Sequence, residues 1–167
     1  MKKTIGVLLI LPFLFWGGVR LWKAYPSFDA ECGGYMLNAA SANSIELARG
    51  EMEKVVKYIE LRRIQPGFTS VMYDTANEDV GFWISNMKSS LEELKQIGPE
   101  ATSLEKSNVL IKLRETLTDK SKEKTEISVP MGISVYPNNF GYMIWGVLST
   151  ILGIIGVIIF RIGMDEY

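Results

Sequence analysis

Residues 142 to 160 carry no charged side chain, and eleven of these nineteen are Ile, Leu, Val or Phe. At about −0.3 to −0.6 kcal/mol each, the eleven contribute about −3 to −7 kcal/mol toward insertion into a bilayer. As a helix, a stretch of this length reaches about 28 Å, close to the hydrocarbon thickness. The segment YMIWGVLSTILGIIGVIIFRIG, residues 142 to 163, is therefore expected to span a membrane. A second apolar stretch, TIGVLLILPFLFWGGVRLW over residues 4 to 22, is uncharged until Arg20 and has the same reach. Charged residues fill the chain between them.

The expected architecture is an all-α membrane protein. Two transmembrane helices, 4 to 22 and 142 to 163, flank a small antiparallel bundle of three to four helices within residues 23 to 141. The first stretch has a rival reading as a cleaved signal, since Lys2 and Lys3 precede an apolar run broken by Pro12. A cleavage site wants small residues, whereas Arg20, Trp22, Lys23 and Tyr25 follow, so the flanks favour an uncleaved anchor. Lys2, Lys3 and Arg161 against Arg20 and Lys23 give a slight excess that places both termini in the cytoplasm and the central domain outside it. Trp16, Trp22, Tyr25, Tyr142 and Trp145 then fall near the outer interface. Only residues 1 to 3 and 164 to 167 are left for the cytoplasmic side, so no output domain is expected there.

Composition removes several chemistries. The chain has no histidine and one cysteine, Cys32, which excludes histidine triads, histidine metal sites, CxxC redox pairs and multi-cysteine zinc sites. Eighteen Lys and Arg against nineteen Asp and Glu leave no basic excess for a nucleic acid. Ser-x-x-Lys occurs at Ser85/Lys88, Ser103/Lys106 and Ser121/Lys124, but the S-D-N and K-T-G companions are missing, and the pattern reads as chance. Asp74, Glu78 and Asp79 form no calcium-loop pattern and suit a helix start. No cofactor and no metal site is expected.

Three blocks of the central region have helical periodicity. The first, ending at Arg63, places Ile45, Ala48, Met52, Val55, Val56 and Ile59 on one face, with a break expected near Gly33. Thr75 and Glu78 resemble a capping box ahead of Val80, Trp83/Ile84, Met87, Leu91 and Leu94. A second box, Thr102 and Glu105, opens a block whose stripe is Leu104, Leu110, Ile111, Leu113 and Leu117. Residues 119 to 124 follow as a charged turn. Beyond them Ile127, Val129, Met131, Ile133 and Val135 alternate as in a strand, restricted to an edge by Pro130. This segment has three readings: pairing with the strand-like Phe68 to Tyr73, docking to another chain, or inert packing over the helices.

In the second span Gly146, Ser149, Gly153, Gly156 and Gly163 share one helix face, which suits close packing against the first span or another subunit. Pro12 and Gly17-Gly18 offer a weaker matching surface in the first span. Cys32 is read as a free thiol, buried or semi-exposed, as a disulfide to a second copy, or least of all as a nucleophile, since no histidine could activate it.

The leading functional expectation is a non-enzymatic structural or accessory subunit. It would lie among membrane lipid, assemble as a homo-oligomer or in a larger membrane complex through its second span, and present the helical domain for interaction. One alternative is a ligand-sensing module, with Tyr73, Phe82 and Trp83 lining a small-molecule pocket and the signal passing through a partner. A holin-like membrane-permeabilising protein is another.

Overall fold

The computed structural model describes residues 2–119 and 126–165, and for residues 16, 18–27 and 165 the backbone alone. The chain is mostly helical and divides into two compact units, one of Met1–Pro26 with Asn138–Tyr167 and one of Ser27–Pro137.

In the first unit, helices α1 (Lys2–Phe28) and α6 (Asn139–Asp165) run antiparallel. Gly6 lies against Gly156 and Phe160, Phe13 against Gly153, and Lys2 and Lys3 against Gly163. Away from that contact Val147, Ile151, Ile154 and Ile158 of α6 and Leu8, Leu11 and Phe15 of α1 are exposed. Among the described residues one helix, Asn139–Met164, is long and apolar enough to cross a membrane, where the sequence leads one to expect two. The stretch expected as the first span, residues 4 to 22, runs into residues whose side chains lie outside the described set.

The second unit is a four-helix bundle of α2 (Gly34–Ser41), α3 (Ile45–Leu61), α4 (Val80–Gln96) and α5 (Ser103–Leu117). Helix α2 packs on α3 and α5, α3 on α4, and α4 on α5, which closes the ring. Spacings of three and four put Ile45, Ala48, Met52, Val55 and Ile59 of α3 inside, facing Val80, Trp83, Met87, Leu91 and Leu94 of α4. Phe28, Cys32, Met36 and Ala39 complete the wall. Helix α5 contributes only Leu113 and Leu117 to the fully buried core; Leu104 and Ile111, expected in its stripe, are exposed. Val109 and Leu110 pack partly buried against that core, Arg114 Nε donates to the Ala40 carbonyl at 3.0 Å, and Lys112 forms a surface ion pair with Glu93 at 2.8 Å.

Local signals explain the helix ends. The backbone stays helical through Gly33 as a π-turn over Asp29–Gly33, and the break falls later, at Ala42, whose φ of −61° and ψ of 141° are extended. Ser44 then caps α3 by accepting from the Leu47 amide at 3.3 Å. The far end of α3 closes as a Schellman motif, with Arg63 N donating to Glu60 O and Ile64 N to Ile59 O, both at 3.0 Å. Arg63 takes the left-handed position there, at φ 52°.

The Thr75 box is displaced. Thr75 Oγ1 bonds the Glu78 carboxylate but caps no amide, and Ala76–Glu78 forms a separate 3-10 turn. Asp79 caps α4, accepting from the Phe82 amide at 2.9 Å. At α5 the box is complete: Glu105 N donates to Thr102 Oγ1 at 3.2 Å and Thr102 N to Glu105 Oε2 at 2.7 Å.

The alternating segment is not a strand through Val135. Only β2 (Glu126–Ile127) pairs, antiparallel with β1 (Thr118–Asp119), and Ser128 N adds one bond to Leu117 O at 2.8 Å. Pro130 cannot donate, and tight turns from Pro130 to Tyr136 replace the ladder. Phe68 bridges Asp79 in isolation, so Phe68 to Tyr73 is not its partner strand. The charged turn lies outside the described residues from position 120 to 125.

Candidate functional site

Glycine allows two helix backbones to approach more closely than any other residue permits, and α1 and α6 use it reciprocally. A Cβ on Gly156 would come within 2.8 Å of the Gly6 carbonyl oxygen, and a Cβ on Gly6 within 2.8 Å of the Gly156 carbonyl oxygen. Gly163 is nearly as tight, with Lys2 Cβ at 3.1 Å, while Gly153 leaves an ordinary 3.6 Å to Phe13 Cβ. Ser149 is buried, and its hydroxyl donates back to the Gly146 carbonyl at 3.0 Å, which satisfies it within its own helix. Thr150 Oγ1 donates to the same carbonyl at 2.7 Å. Gly146 itself is half-buried. Gly6, which the spacing pattern does not mark, is the counterpart; Gly17 has nothing near its Cβ position. The signal for Gly6 is slight, a single small residue in the first turns of an apolar run.

Cys32 is fully buried in the bundle core and free. Desolvation pushes its thiol up to about 12, the opposite of what a reactive thiolate needs. A disulfide to a second copy would require Cys32 to leave the core, so the intermolecular reading has no geometric basis.

The five alternating residues are largely spent inside the chain. Ile133 is in the core, Ile127 and Val129 pack against it, and the Ile127 Cδ1 methyl lies 3.0 Å from where a Cβ on Gly33 would be. Val135 is half-buried and Met131 alone is strongly exposed. Inert packing over the helices describes this segment better than a free docking strand.

Tyr73, Phe82 and Trp83 do not line one pocket: Trp83 is in the core, whereas Tyr73 and Phe82 are exposed. Ser85 and Lys88 are exposed, Lys106 donates to the Pro99 carbonyl at 3.2 Å, and Ser121 and Lys124 lie outside the described residues. No group of three or more metal-ligating side chains occurs among the described residues. The chain matches no family model, no curated protein and no solved structure. Its functional reading therefore rests on the helix pair, the bundle and their surfaces.

Proposed function

We propose that this chain is a non-enzymatic membrane-anchored accessory protein. In this reading α1 and α6 both cross the bilayer as an antiparallel hairpin with their free ends in the cytoplasm, and the four-helix unit lies outside it as an interaction domain. The observation that carries the reading is the character of α6: one face of small residues taken up by α1, and the rest of its surface largely apolar and open. A helix of that composition in water would leave a large apolar surface uncovered, which lipid covers without cost. Because the glycine face is occupied from within the chain, recruitment of a partner or a second copy falls to the bundle and to the outer surface of the pair.

Alkaline carbonate extraction of membranes from cells expressing the full chain tests this. The protein is expected to stay with the lipid pellet at full length. Release into the supernatant, or a mature chain lacking the first stretch, would overturn the reading.

A further inference from the structure

Between α3 and α4 the chain makes a closed loop whose neck is built and whose tip is bare. Val80 N donates to Gly67 O at 2.8 Å and Thr69 N to Glu78 O at 3.0 Å, so the two arms are pinned together beside the Phe68 and Asp79 bridge. Ser70 Oγ accepts from the Met72 and Tyr73 amides at 3.4 and 3.3 Å, turning the tip. What the tip offers is apolar: Met72 is 72% and Tyr73 73% exposed, with Val71 and Phe68 also open to solvent. Residues 64 to 73 form a run of ten without a charge in the otherwise charge-rich middle of the chain.

One further contact and the connectivity of the chain point to what covers this surface. Tyr136 Oη donates to the Pro66 carbonyl at 3.3 Å at the root of the loop. Tyr136 is also three residues ahead of the start of α6, a chain length of at most about 11 Å. The loop is thus rooted on the stretch of chain that enters the apolar helix, and a bilayer holding that helix is available to the tip at high effective concentration. Tyrosine, with an apolar ring and a wet hydroxyl, suits the headgroup level, and methionine adapts to any apolar surface.

We infer that the 68 to 73 loop is a lipid contact, with Val71, Met72 and Tyr73 entering the interfacial layer. This rests on the membrane anchoring proposed above. Asp74, next along the chain, keeps the loop from favouring anionic lipid, so the contact is apolar and zwitterionic phosphatidylcholine suffices.

The test places an environment-sensitive fluorophore on single cysteines at Met72→Cys, Tyr73→Cys, Lys88→Cys and Ile154→Cys. Each is built in a Cys32→Ala background of the full chain and reconstituted in phosphatidylcholine vesicles. Labels at 72 and 73 are expected to shift to the blue and lose most of their emission to shallow nitroxide lipids, with no gain when anionic lipid is added, while the label at 88 stays in water. An unquenched, water-exposed label at both 72 and 73, with the label at 154 quenched by deep nitroxide lipids, overturns the loop contact and leaves the anchoring intact. Shielding of 72 that lipid nitroxides do not quench and that vanishes on diluting the protein in lipid also overturns it, in favour of a second copy. A label at 154 that deep nitroxides fail to quench removes the anchoring and the loop contact together.

Discussion

Thr69 keeps its hydroxyl buried and without a hydrogen-bond partner while its own amide holds the loop neck. A buried donor left unpaired costs about 1–3 kcal/mol, and valine has nearly the same shape without the hydroxyl. Thr69→Val is expected to stabilise the protein by about 1 kcal/mol in urea unfolding of the full chain in mild detergent; a loss of stability would mean the hydroxyl has an unseen partner. Burial of Cys32 has consequences of its own. Its thiol is raised from 9.0 to about 12 by burial, so the folded state holds the proton more tightly than the unfolded chain. The stability this gives is fully present below pH 9 and falls as pH rises from 9 toward 12. A maleimide at neutral pH should leave Cys32 unmodified in the folded chain and react after unfolding, and rapid native labelling would contradict the burial. The unpaired Thr69 hydroxyl is not legible in the sequence. For Cys32 the sequence leaves a buried and a semi-exposed free thiol both open, and the π-turn over Asp29–Gly33 is part of the wall that puts it in the core.

Helix identity is the most legible feature, because periodicity of three and four over α3 and α4 records the core directly. Helix ends are less so. Two Thr-x-x-Glu patterns look alike in sequence, yet only the one at Thr102 forms, since at Thr75 the neighbouring Asp79 can cap the helix one turn later. Thr102→Ala should therefore cost about 1 kcal/mol, read from the same urea titration, while Thr75→Ala leaves the helix cap in place. Bonding to the Thr102 amide and hydroxyl holds the Glu105 carboxyl below its usual 4.5. Its contribution is complete above that value and lost as pH falls through the lowered one, so the Thr102→Ala penalty should shrink under strong acid. The strand expected through Val135 does not form for a comparable reason: alternation shows which residues face inward, but turns bury Ile133 equally well and leave Pro130 no ladder to interrupt. For the helix pair, Gly156→Ala forces a methyl onto the Gly6 carbonyl and should destabilise by about 1–3 kcal/mol, whereas Gly153→Ala, with room beside Phe13, should be close to neutral. Thermal unfolding in detergent separates them, and equal effects would argue against the Gly6 and Gly156 crossing.

At the scale of the molecule, the distribution of charge along the chain divides it into two kinds of surface, apolar ends and a polar middle. The two compact units follow that division. Which surfaces remain free cannot be read from sequence, because it depends on pairings between residues as distant as Gly6 and Gly156 or Pro66 and Tyr136. Those pairings shift the proposed partner surface from the glycine stripe to the bundle. In the proposed arrangement both apolar helices cross one bilayer and carry the bundle on the side opposite the chain ends. Membrane-impermeant maleimide labelling of sealed cells carrying Lys88→Cys or Lys2→Cys in a Cys32→Ala background decides between this arrangement and its alternatives. Position 88 should label from outside and position 2 only after the membrane is opened; labelling of both from the same side would rule out the two-span hairpin.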